Sequence, residues 1–407
     1  MIMQNLSIID LVQKEDERQK NTIRLIASEN FVSQDILKVL GSSLTNKYSE
    51  GYPYKRYYRG QEFIDQIEQQ TIDLARKVFG ASFANVQAYS GSPANLAIYM
   101  ALLNPYDTVM GLDLSSGGHL THGFKVSITG KWFDSKPYSV SPDTFLIDYD
   151  NLEKLAVQYK PKLIISGLSA YPREIDFAKI GAIAKKVGAY HLADISHISG
   201  LILTQNHPNP FPYADIVMTT THKMLRGPRG ALILTNDKIL ADKIDKSVFP
   251  GLQGGPHINN IAGIGIALEE ALSSEYRDYI QSLLDNAKSL SNELVKLGFN
   301  VITGGTDNHL LLLDLRKNNI DGETFSQSLE KANIETNKNS IPFDTAPPTK
   351  TNGLRIGTPA ITTIGMKPSD MIFIANSIKK VLDNYKDESI LKEIKEENIN
   401  FLSKFKL

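Results

Sequence analysis

The sequence contains no cysteine among its 407 residues. That absence excludes disulfide frameworks, thiolate metal sites and cysteine nucleophiles. The sequence also lacks an excess of positive or negative charge, because it has 44 basic and 45 acidic side chains. No net field therefore favours nucleic acid or an anionic membrane as a partner. No apolar run has the length of a membrane span, and the opening residues lack the pattern of a secretory signal. We therefore expect a soluble cytoplasmic protein.

The apolar residues, 42 % of the chain, are sufficient for two domains. Helical periodicity followed by glycine predicts helices over residues 63–80, 177–188 and 276–298. Uniformly apolar runs predict buried strands at 107–112, 162–168, 189–195, 215–220 and 230–235. This alternation indicates an open, mostly parallel α/β sheet followed by a smaller α+β domain. We expect an N-terminal helical arm over 1–24, a large domain over 25–275 and a small domain over 276–407, ending in a charged, solvated helix.

Polar residues end three of the predicted strands. Asp194 ends YHLAD, with His197 shortly after it; His222 and Lys223 follow DIVMTTT; and Ser169 follows LIISGL. Ligands of open α/β sheets gather at the carboxyl ends of the strands. Each residue alone also fits a helix cap or a solvated side chain, so their occurrence at one edge is what indicates a site.

A phosphate cradle, formed by Ser90, Gly91 and Ser92, lies between a predicted strand and a helix that has Pro93 in its first turn. Free amides at a helix start, together with two hydroxyls, bind phosphate well. A plain serine N-cap is the alternative. The segment does not match GxxxxGK[ST], so a nucleotide triphosphatase is not indicated.

Pyridoxal phosphate fits this set of residues. The cofactor needs a phosphate cradle, a lysine for covalent attachment and a carboxylate at its ring nitrogen, and Lys223 and Asp194 supply the last two. His119, in SSGGHLTHG, is placed to stack on the ring, and Arg355, in LRIGTPA, to bind an amino-acid carboxylate. His119 and His122 also have the spacing of a metal pair, but no third ligand is near them, so no metal is expected.

Ten stretches of the sequence together resemble the serine hydroxymethyltransferase family. They are LIASEN, LTNKYSEGYPYKRYY, SGSPAN, GGHLTHG, SAYPREID, TTTHKMLRGPRGA, VFPGLQGGP, GGTDNHL, NKNSIPFD and LRIGTPA. They follow the family's order from about residue 24 to about residue 365. The resemblance implies an aspartate-aminotransferase-like fold (fold type I). It also implies transfer of the serine hydroxymethyl carbon to tetrahydrofolate, giving glycine and methylenetetrahydrofolate.

The resemblance also implies a role for each matching residue. Lys223 would hold the cofactor, His222 would influence reaction specificity and Glu50 would handle protons. The implied cofactor contacts are Ser90, Gly91, Ser92, His119, Ser169, Asp194, His197, Thr220, Lys223, Gly254 and Gly255. The implied substrate contacts are Ser28, Tyr58 and Arg355, and the implied folate contacts are Leu114, Gly118, His119, Leu120 and Asn339.

Some of these residues are implied to cross a subunit boundary, namely Tyr48, Glu50, Tyr58, Gln253, Gly254 and Gly255. The resemblance thus implies a homodimer, and whether two dimers join as a tetramer stays open.

Three departures from the family pattern stand out: Arg59 replaces a glycine, Met224 replaces a small hydroxyl residue, and Ala88 with Tyr89 replace proline and often histidine. Arg59 either contacts the carboxylates of the folate tail, or it points to solvent or pairs with Glu62 at the surface.

The sequence is also compatible with two other functions. A folate-independent aldolase or transaldolase acting on β-hydroxy amino acids would use the same cofactor. A non-catalytic homologue acting as a binding protein is disfavoured by the presence of Lys223, Asp194 and Arg355 together.

Overall fold

The structure, a computed structural model, describes residues 6–347 and 349–405. These residues divide into two units, of which the larger runs from Asn30 to Gln281. The smaller unit joins the residues up to Glu29 to those from Ser282 onward. The N-terminal segment therefore groups with the C-terminal part of the chain.

Helices and strands alternate along the described residues. The helices are α1 Ile8–Lys20, α2 Gln34–Leu40, α3 Glu62–Phe79, α4 Gly91–Leu102, α5 Ile128–Trp132, α6 Tyr149–Tyr159, α7 Phe177–Val187, α8 Ser199–Leu203, α9 Lys238–Lys246, α10 Ile258–Glu270, α11 Ser274–Lys296, α12 Gly322–Lys331, α13 Pro359–Thr363, α14 Asp370–Asp383 and α15 Glu388–Leu402. The strands are β1 Ile23–Arg24, β2 Gly51–Tyr52, β3 Lys55–Arg56, β4 Phe83–Asn85, β5 Thr108–Gly111, β6 Asp134–Ser135, β7 Leu163–Gly167, β8 Tyr190–Asp194, β9 Ile216–Thr220, β10 Ala231–Thr235, β11 Asn300–Val301, β12 Leu310–Asp314, β13 Ile334–Glu335, β14 Asn337–Asn339 and β15 Gly353–Gly357.

A seven-stranded sheet forms the centre of the larger unit, in the order β4-β10-β9-β8-β7-β5-β6. The strands from β9 to β6 run parallel, whereas β10 pairs antiparallel with β9 and β4. Strands β7, β9 and β10 are buried along their whole length, as expected for apolar strands covered on both faces. The predicted mostly parallel α/β sheet is confirmed.

Two of the predicted helices end where glycine can adopt a left-handed backbone. Gly80 follows α3 with φ of 68°, and Gly188 follows α7 with φ of 72°. A side chain at either position would have open space around it, so the backbone conformation is what favours glycine there.

The smaller unit has an antiparallel four-stranded sheet in the order β11-β12-β15-β14. Strand β1 pairs parallel with β13, which places Ile23 opposite Ile334. Both of these side chains are fully buried in the unit's apolar core. The smaller unit is therefore α+β, as predicted, and β1 and β13 form a separate two-stranded sheet in it.

The prediction of a solvated C-terminal helix was wrong in one respect. Helix α15 forms, but Leu391, Ile394 and Phe401 belong to the core of the smaller unit. Asn398 is fully buried, donates from Nδ2 to the Ala332 carbonyl (2.7 Å) and accepts from Ser377 Oγ (2.8 Å). The charged residues of this segment occupy only its outer face.

Helix α1, by contrast, has no buried residue. Its apolar residues Ile8, Ile9, Leu11 and Val12 are between 48 % and 75 % exposed. An exposed apolar stripe of this kind favours a contact with another molecule. Among the described residues, no helix combines the length and the apolar character needed to cross a membrane.

Candidate active site

A cavity of about 140 Å³ opens at the carboxyl ends of β8 and β9 in the larger unit. It lies at the strand ends, where open α/β sheets bind ligands. Most of the residues predicted to contact the cofactor line it, together with five that were not predicted. Its lining consists of Ser90, Gly91, Ser92, Asn95, His119, Leu168, Asp194, Ser196, His197, Met218, Thr220, His222, Lys223 and Arg229.

Asp194, the last residue of β8, is buried and held by three donors. His122 Nε2 lies 3.0 Å from Asp194 Oδ2, and Asn95 Nδ2 donates to the same oxygen at 3.1 Å. The Ser196 backbone N–H donates to Oδ1 at 3.1 Å. Burial raises the pKa of Asp194, but the hydrogen bonds from His122 and Ser196 outweigh this effect and hold the pKa well below its ordinary value. The cavity therefore contains a fixed carboxylate.

The tautomer of His122 follows from its second contact. The His119 backbone N–H donates to His122 Nδ1 at 3.3 Å, so Nδ1 is an acceptor and Nε2 carries the proton directed at Asp194. His119 itself lies 2.8 Å, through Nδ1, from the Thr121 hydroxyl, which also accepts from Asn95 Nδ2 at 2.8 Å. One hydrogen-bond network therefore connects the predicted ring-stacking histidine to the predicted ring-nitrogen partner.

Sequence reasoning missed Asn95 and the role of His122. The spacing of His122 from His119 indicates only half of a metal pair, whereas its ring is hydrogen-bonded to Asp194. Among the described residues, no group of three acidic or histidine side chains is arranged to hold a metal. The available signal for Asn95 was its place on α4, about one turn after the phosphate cradle, facing the same strand ends.

Lys223 follows β9 by three residues. Its Nζ donates to the Thr220 hydroxyl at 3.1 Å, and its backbone carbonyl accepts from Asn30 Nδ2 at 3.0 Å. Only 9 % of Lys223 is exposed. Met224, one of the departures from the family pattern, is fully buried, and the Tyr276 hydroxyl donates to its backbone carbonyl. It does not line the cavity, so this substitution changes the packing behind the lysine.

His222 lies beside Lys223 in the cavity lining. Its Nδ1 is buried and has no hydrogen-bond partner in the described structure. Burial, reinforced by the charges of Lys223 and Arg229, lowers the pKa of His222 to about 3. The imidazole is therefore neutral at physiological pH, with one unsatisfied nitrogen in the cavity.

The phosphate cradle has the geometry expected of an anion site. Ser90 is the residue before α4, and its side chain makes no capping hydrogen bond, which removes the plain N-cap alternative. A β-carbon at Gly91 would lie 2.6 Å from Thr220 Cγ2, so only glycine keeps this wall of the cavity open. The first amides of α4, at the positive end of its dipole, remain for a phosphate group.

A second group of predicted residues, which we call the Tyr48 cluster, consists of Tyr48, Glu50, Tyr58 and the turn Gln253–Gly255. The Tyr48 and Tyr58 rings meet edge to face with centroids 5.3 Å apart. The charge of Glu50 raises the pKa of Tyr58. Tyr48 is 57 % and Tyr58 45 % exposed, and no member of the cluster lines the cavity formed by the described residues.

Arg59, another departure, follows Tyr58 and is exposed. Within the described residues it forms no ion pair, so the interpretation that it pairs with Glu62 is wrong. Its backbone carbonyl accepts from Gln61 Nε2 at 3.3 Å. The guanidinium is therefore available to a ligand or to solvent.

The predicted substrate residues of the smaller unit lie around β15. Arg355, in the middle of that strand, is 8 % exposed and donates from Nε to Asn337 Oδ1 at 3.0 Å. Burial lowers the pKa of Arg355 to about 10. The backbone of Gly357, at the end of β15, donates to the Leu25 carbonyl at 2.7 Å, which brings the segment containing Ser28 beside the strand. Asn339, on β14, pairs with Gly353.

The remaining predicted contacts lie near His119 in the larger unit. Leu114 accepts from the Gly117 N–H, and Gly118 donates to the Asp113 carbonyl. Leu120 is 47 % exposed. Ser169 donates its N–H to the Gly117 carbonyl at 2.7 Å, but Leu168, not Ser169, is the lining residue at this wall.

These features fit pyridoxal phosphate. The cavity combines an ionised buried carboxylate, a lysine amine and an anion cradle, and it holds unsatisfied buried atoms at Asn95 Oδ1 and His222 Nδ1. Buried polar atoms without partners in a cavity indicate a missing ligand. The carboxylate can hold a proton on a ring nitrogen, and the lysine can attach an aldehyde.

Comparison with known proteins agrees with this chemistry. A family model described as serine hydroxymethyltransferase matches residues 1–378. The chain is 50 % identical over 397 residues to the serine hydroxymethyltransferase of Rickettsia africae (strain ESF-5), covering 98 % of this chain and 94 % of that protein. It is 50 % identical over 396 residues to that of Rickettsia prowazekii (strain Madrid E), covering 95 % and 94 %. It is 52 % identical over 380 residues to that of Rickettsia canadensis (strain McKiel), covering 93 % and 90 %.

Proposed function

The chain belongs to the serine hydroxymethyltransferase family, and from that premise we propose which residues carry out its reaction. The reaction is the reversible transfer of the serine hydroxymethyl carbon to tetrahydrofolate, with pyridoxal phosphate as cofactor. The observation that carries the assignment of residues is the single cavity that contains Asp194, Lys223 and the phosphate cradle.

Bound pyridoxal phosphate supplies an electron sink for the charge that develops at the substrate α-carbon. Asp194 holds a proton on the ring nitrogen, since its three donors keep it ionised and oriented. His119 would contact the ring, and Ser90, Gly91 and Ser92 would hold the phosphate. Ser169 and His197 bind the ring hydroxyl region.

Lys223 would hold the cofactor, because its amine is the group in the cavity lining that can bond to an aldehyde. Thr220 orients the lysine amine through the 3.1 Å hydrogen bond. His222 stays neutral, so it places no second positive charge beside the amine.

Arg355 binds the substrate carboxylate, together with Ser28 and Tyr58. A buried guanidinium provides a strong, bidentate partner for a carboxylate. Glu50 moves a proton during carbon transfer, and Tyr48 lies beside it. Leu114, Gly118, His119, Leu120 and Asn339 line the folate site. The proposed cofactor contacts belong to the larger unit, and Ser28 and Arg355 belong to the smaller unit.

The working enzyme is a homodimer with shared active sites. Two observations support this: α1 exposes an apolar stripe, and the Tyr48 cluster is exposed yet does not line the cavity of its own chain. Mixing Lys223→Ala with Glu50→Gln and allowing subunit exchange should restore part of the activity, because one hybrid site has both groups intact. Exchange without any recovery would place both groups in one chain's site.

Glycine titration of the purified protein, with and without tetrahydrofolate, tests the folate requirement. A long-wavelength absorbance band of the cofactor should grow only when tetrahydrofolate is added. Equal bands in both titrations would support the folate-independent aldolase. No spectral response to glycine would support the non-catalytic binding protein. A cytoplasmic location is part of the same proposal, and fractionation of cells expressing the protein tests it.

A further inference from the structure

Tyr89 connects the phosphate cradle to the turn of the Tyr48 cluster. It immediately precedes Ser90, and its hydroxyl donates to the Gly255 carbonyl at 2.7 Å. Its backbone N–H donates to Gln253 Oε1 at 3.0 Å, and its ring stacks on His257 with centroids 4.2 Å apart and planes 4° from parallel. Two hydrogen bonds thus join Tyr89 to both ends of the turn, and the stacking contact joins it to His257, two residues beyond the turn.

A further hydrogen bond strengthens this connection. Gln253 Nε2 donates to the Gln87 carbonyl at 2.8 Å, two residues before Tyr89. Gln253 is 8 % exposed, so both halves of its amide are used in a site with little access for water. The turn is therefore held against the segment that leads into the cradle.

The other side of the turn meets the remainder of the Tyr48 cluster. A β-carbon at Gly254 would lie 3.5 Å from Glu50 Oε1, and one at Gly255 would lie 3.1 Å from the Tyr48 ring. Whatever fixes the turn therefore also limits the positions of Glu50 and Tyr48. None of these residues lines the cavity of the same chain within the described structure.

We propose that Tyr89 is a positioning residue that orders the Gln253–Gly255 turn for the partner's active site while its neighbour Ser90 serves the site of its own chain. The inference rests on the proposed homodimer with shared sites. A phenol suits this role because it adds a hydroxyl directed at Gly255 to a ring that stacks on His257. One residue thereby links the cofactor contacts of the two sites.

Hybrid dimers with a single functional lysine separate the two sites. In the first hybrid, one chain carries Tyr89→Phe and Lys223→Ala together and the other is unaltered. In the second, one chain carries Tyr89→Phe and the other Lys223→Ala. Each hybrid is titrated with pyridoxal phosphate, reduced with borohydride, and the adduct on Lys223 is quantified, which reports cofactor binding independently of turnover.

The first hybrid should need about fivefold more pyridoxal phosphate for half-saturation, the effect of losing one hydrogen bond. The second hybrid should reach half-saturation at the same concentration as a reference hybrid, in which one chain is unaltered and the other carries Lys223→Ala. Weaker binding of pyridoxal phosphate in the second hybrid alone, or unchanged binding in both hybrids, would overturn the inference. Tyr89→His in place of Tyr89→Phe should restore much of the loss, because an imidazole can both stack and donate.

Tyr138→Phe is the matched control. The Tyr138 hydroxyl donates to the Ile165 carbonyl at 3.0 Å. The substitution therefore removes one hydrogen bond from a tyrosine to a carbonyl, at a position away from the turn. Half-saturation should not change when it replaces Tyr89→Phe in the first hybrid. If the reference hybrid forms but acquires no adduct on Lys223, the proposed function fails. If the reference hybrid acquires the adduct but the two Tyr89→Phe hybrids reach half-saturation at the same pyridoxal phosphate concentration, only this inference fails.

Discussion

His122 Nε2 lies 3.0 Å from Asp194 Oδ2, and both side chains are buried. Because the His119 N–H occupies Nδ1 of the same ring, the proton on Nε2 is directed at the carboxylate. Asp194 is therefore oriented before any cofactor binds, which is the preorganisation that a charge-stabilising group requires.

Asp194→Asn should reduce turnover by about two to three powers of ten, the usual cost of removing a charge-stabilising group. The asparagine retains the size of the side chain, so far-ultraviolet circular dichroism should be unchanged. Asp215→Asn is a control at the opposite end of the neighbouring strand, where Asp215 accepts the His191 N–H. Turnover within a few-fold of the parent for Asp194→Asn would contradict the ring-nitrogen role.

His122→Phe should raise the pKa of Asp194. The desolvation that raises this pKa remains in the variant, whereas the largest opposing contribution is lost. Carbon-13 labelling of aspartate and titration of the cofactor-free protein by nuclear magnetic resonance measures the change. An unchanged Asp194 titration would mean that Asn95 and Ser196 alone hold the carboxylate ionised.

His222 gives the stability a defined pH dependence. Its pKa is about 3 in the folded protein and about 6.5 in an unfolded chain. Above pH 6.5 the imidazole is neutral in both states. Below that pH the unfolded state binds a proton that the folded state does not, so the free energy of unfolding falls by about 1.4 kcal/mol per pH unit.

Urea unfolding of the cofactor-free protein at pH 7 and pH 5 checks this dependence. Between pH 7 and pH 5, the free energy of unfolding should fall by about 2 kcal/mol less in His222→Asn than in the parent. Equal losses in both proteins would show that His222 is protonated in the folded state.

Lys223→Ala should abolish turnover, because no other group in the cavity lining can attach the cofactor. Borohydride reduction of the parent followed by peptide mapping should place the label on Lys223. A label on a different lysine would exclude the assignment.

Arg59→Gly should weaken tetrahydrofolate binding, more for polyglutamylated forms, and leave glycine affinity unchanged. The exposed guanidinium has no ion pair within the described chain, so it can bind the carboxylates of the folate tail. The effect should shrink as salt is raised. Equal folate dissociation constants at low salt for parent and variant would leave Arg59 as a solvated surface residue.

Five of the seven strands of the large sheet, β5 and β7 to β10, could be predicted to within one residue, because burial on both faces leaves a uniformly apolar sequence with polar residues at each end. The short edge strands β4 and β6 could not be predicted in this way. The antiparallel direction of β10 could not, since a short apolar run has no direction. Helix α15 was half predicted: its charges were visible, but the core it covers is formed by residues far away in the chain. His122 and Asp194 are separated by 72 residues, so no local spacing indicates their contact.

The pairing of β1 with β13 has a consequence for how the chain is made. Ile23 and its partner Ile334 are separated by 311 positions in the sequence (334 minus 23). At about 5–20 residues per second, β1 leaves the ribosome roughly 15–60 s before β13 exists. The larger unit, a continuous segment from Asn30 to Gln281, is complete within that interval. The strand made first among the described residues is thus among the last to find its partner, and Ile23 stays unpaired with Ile334 while the larger unit is made.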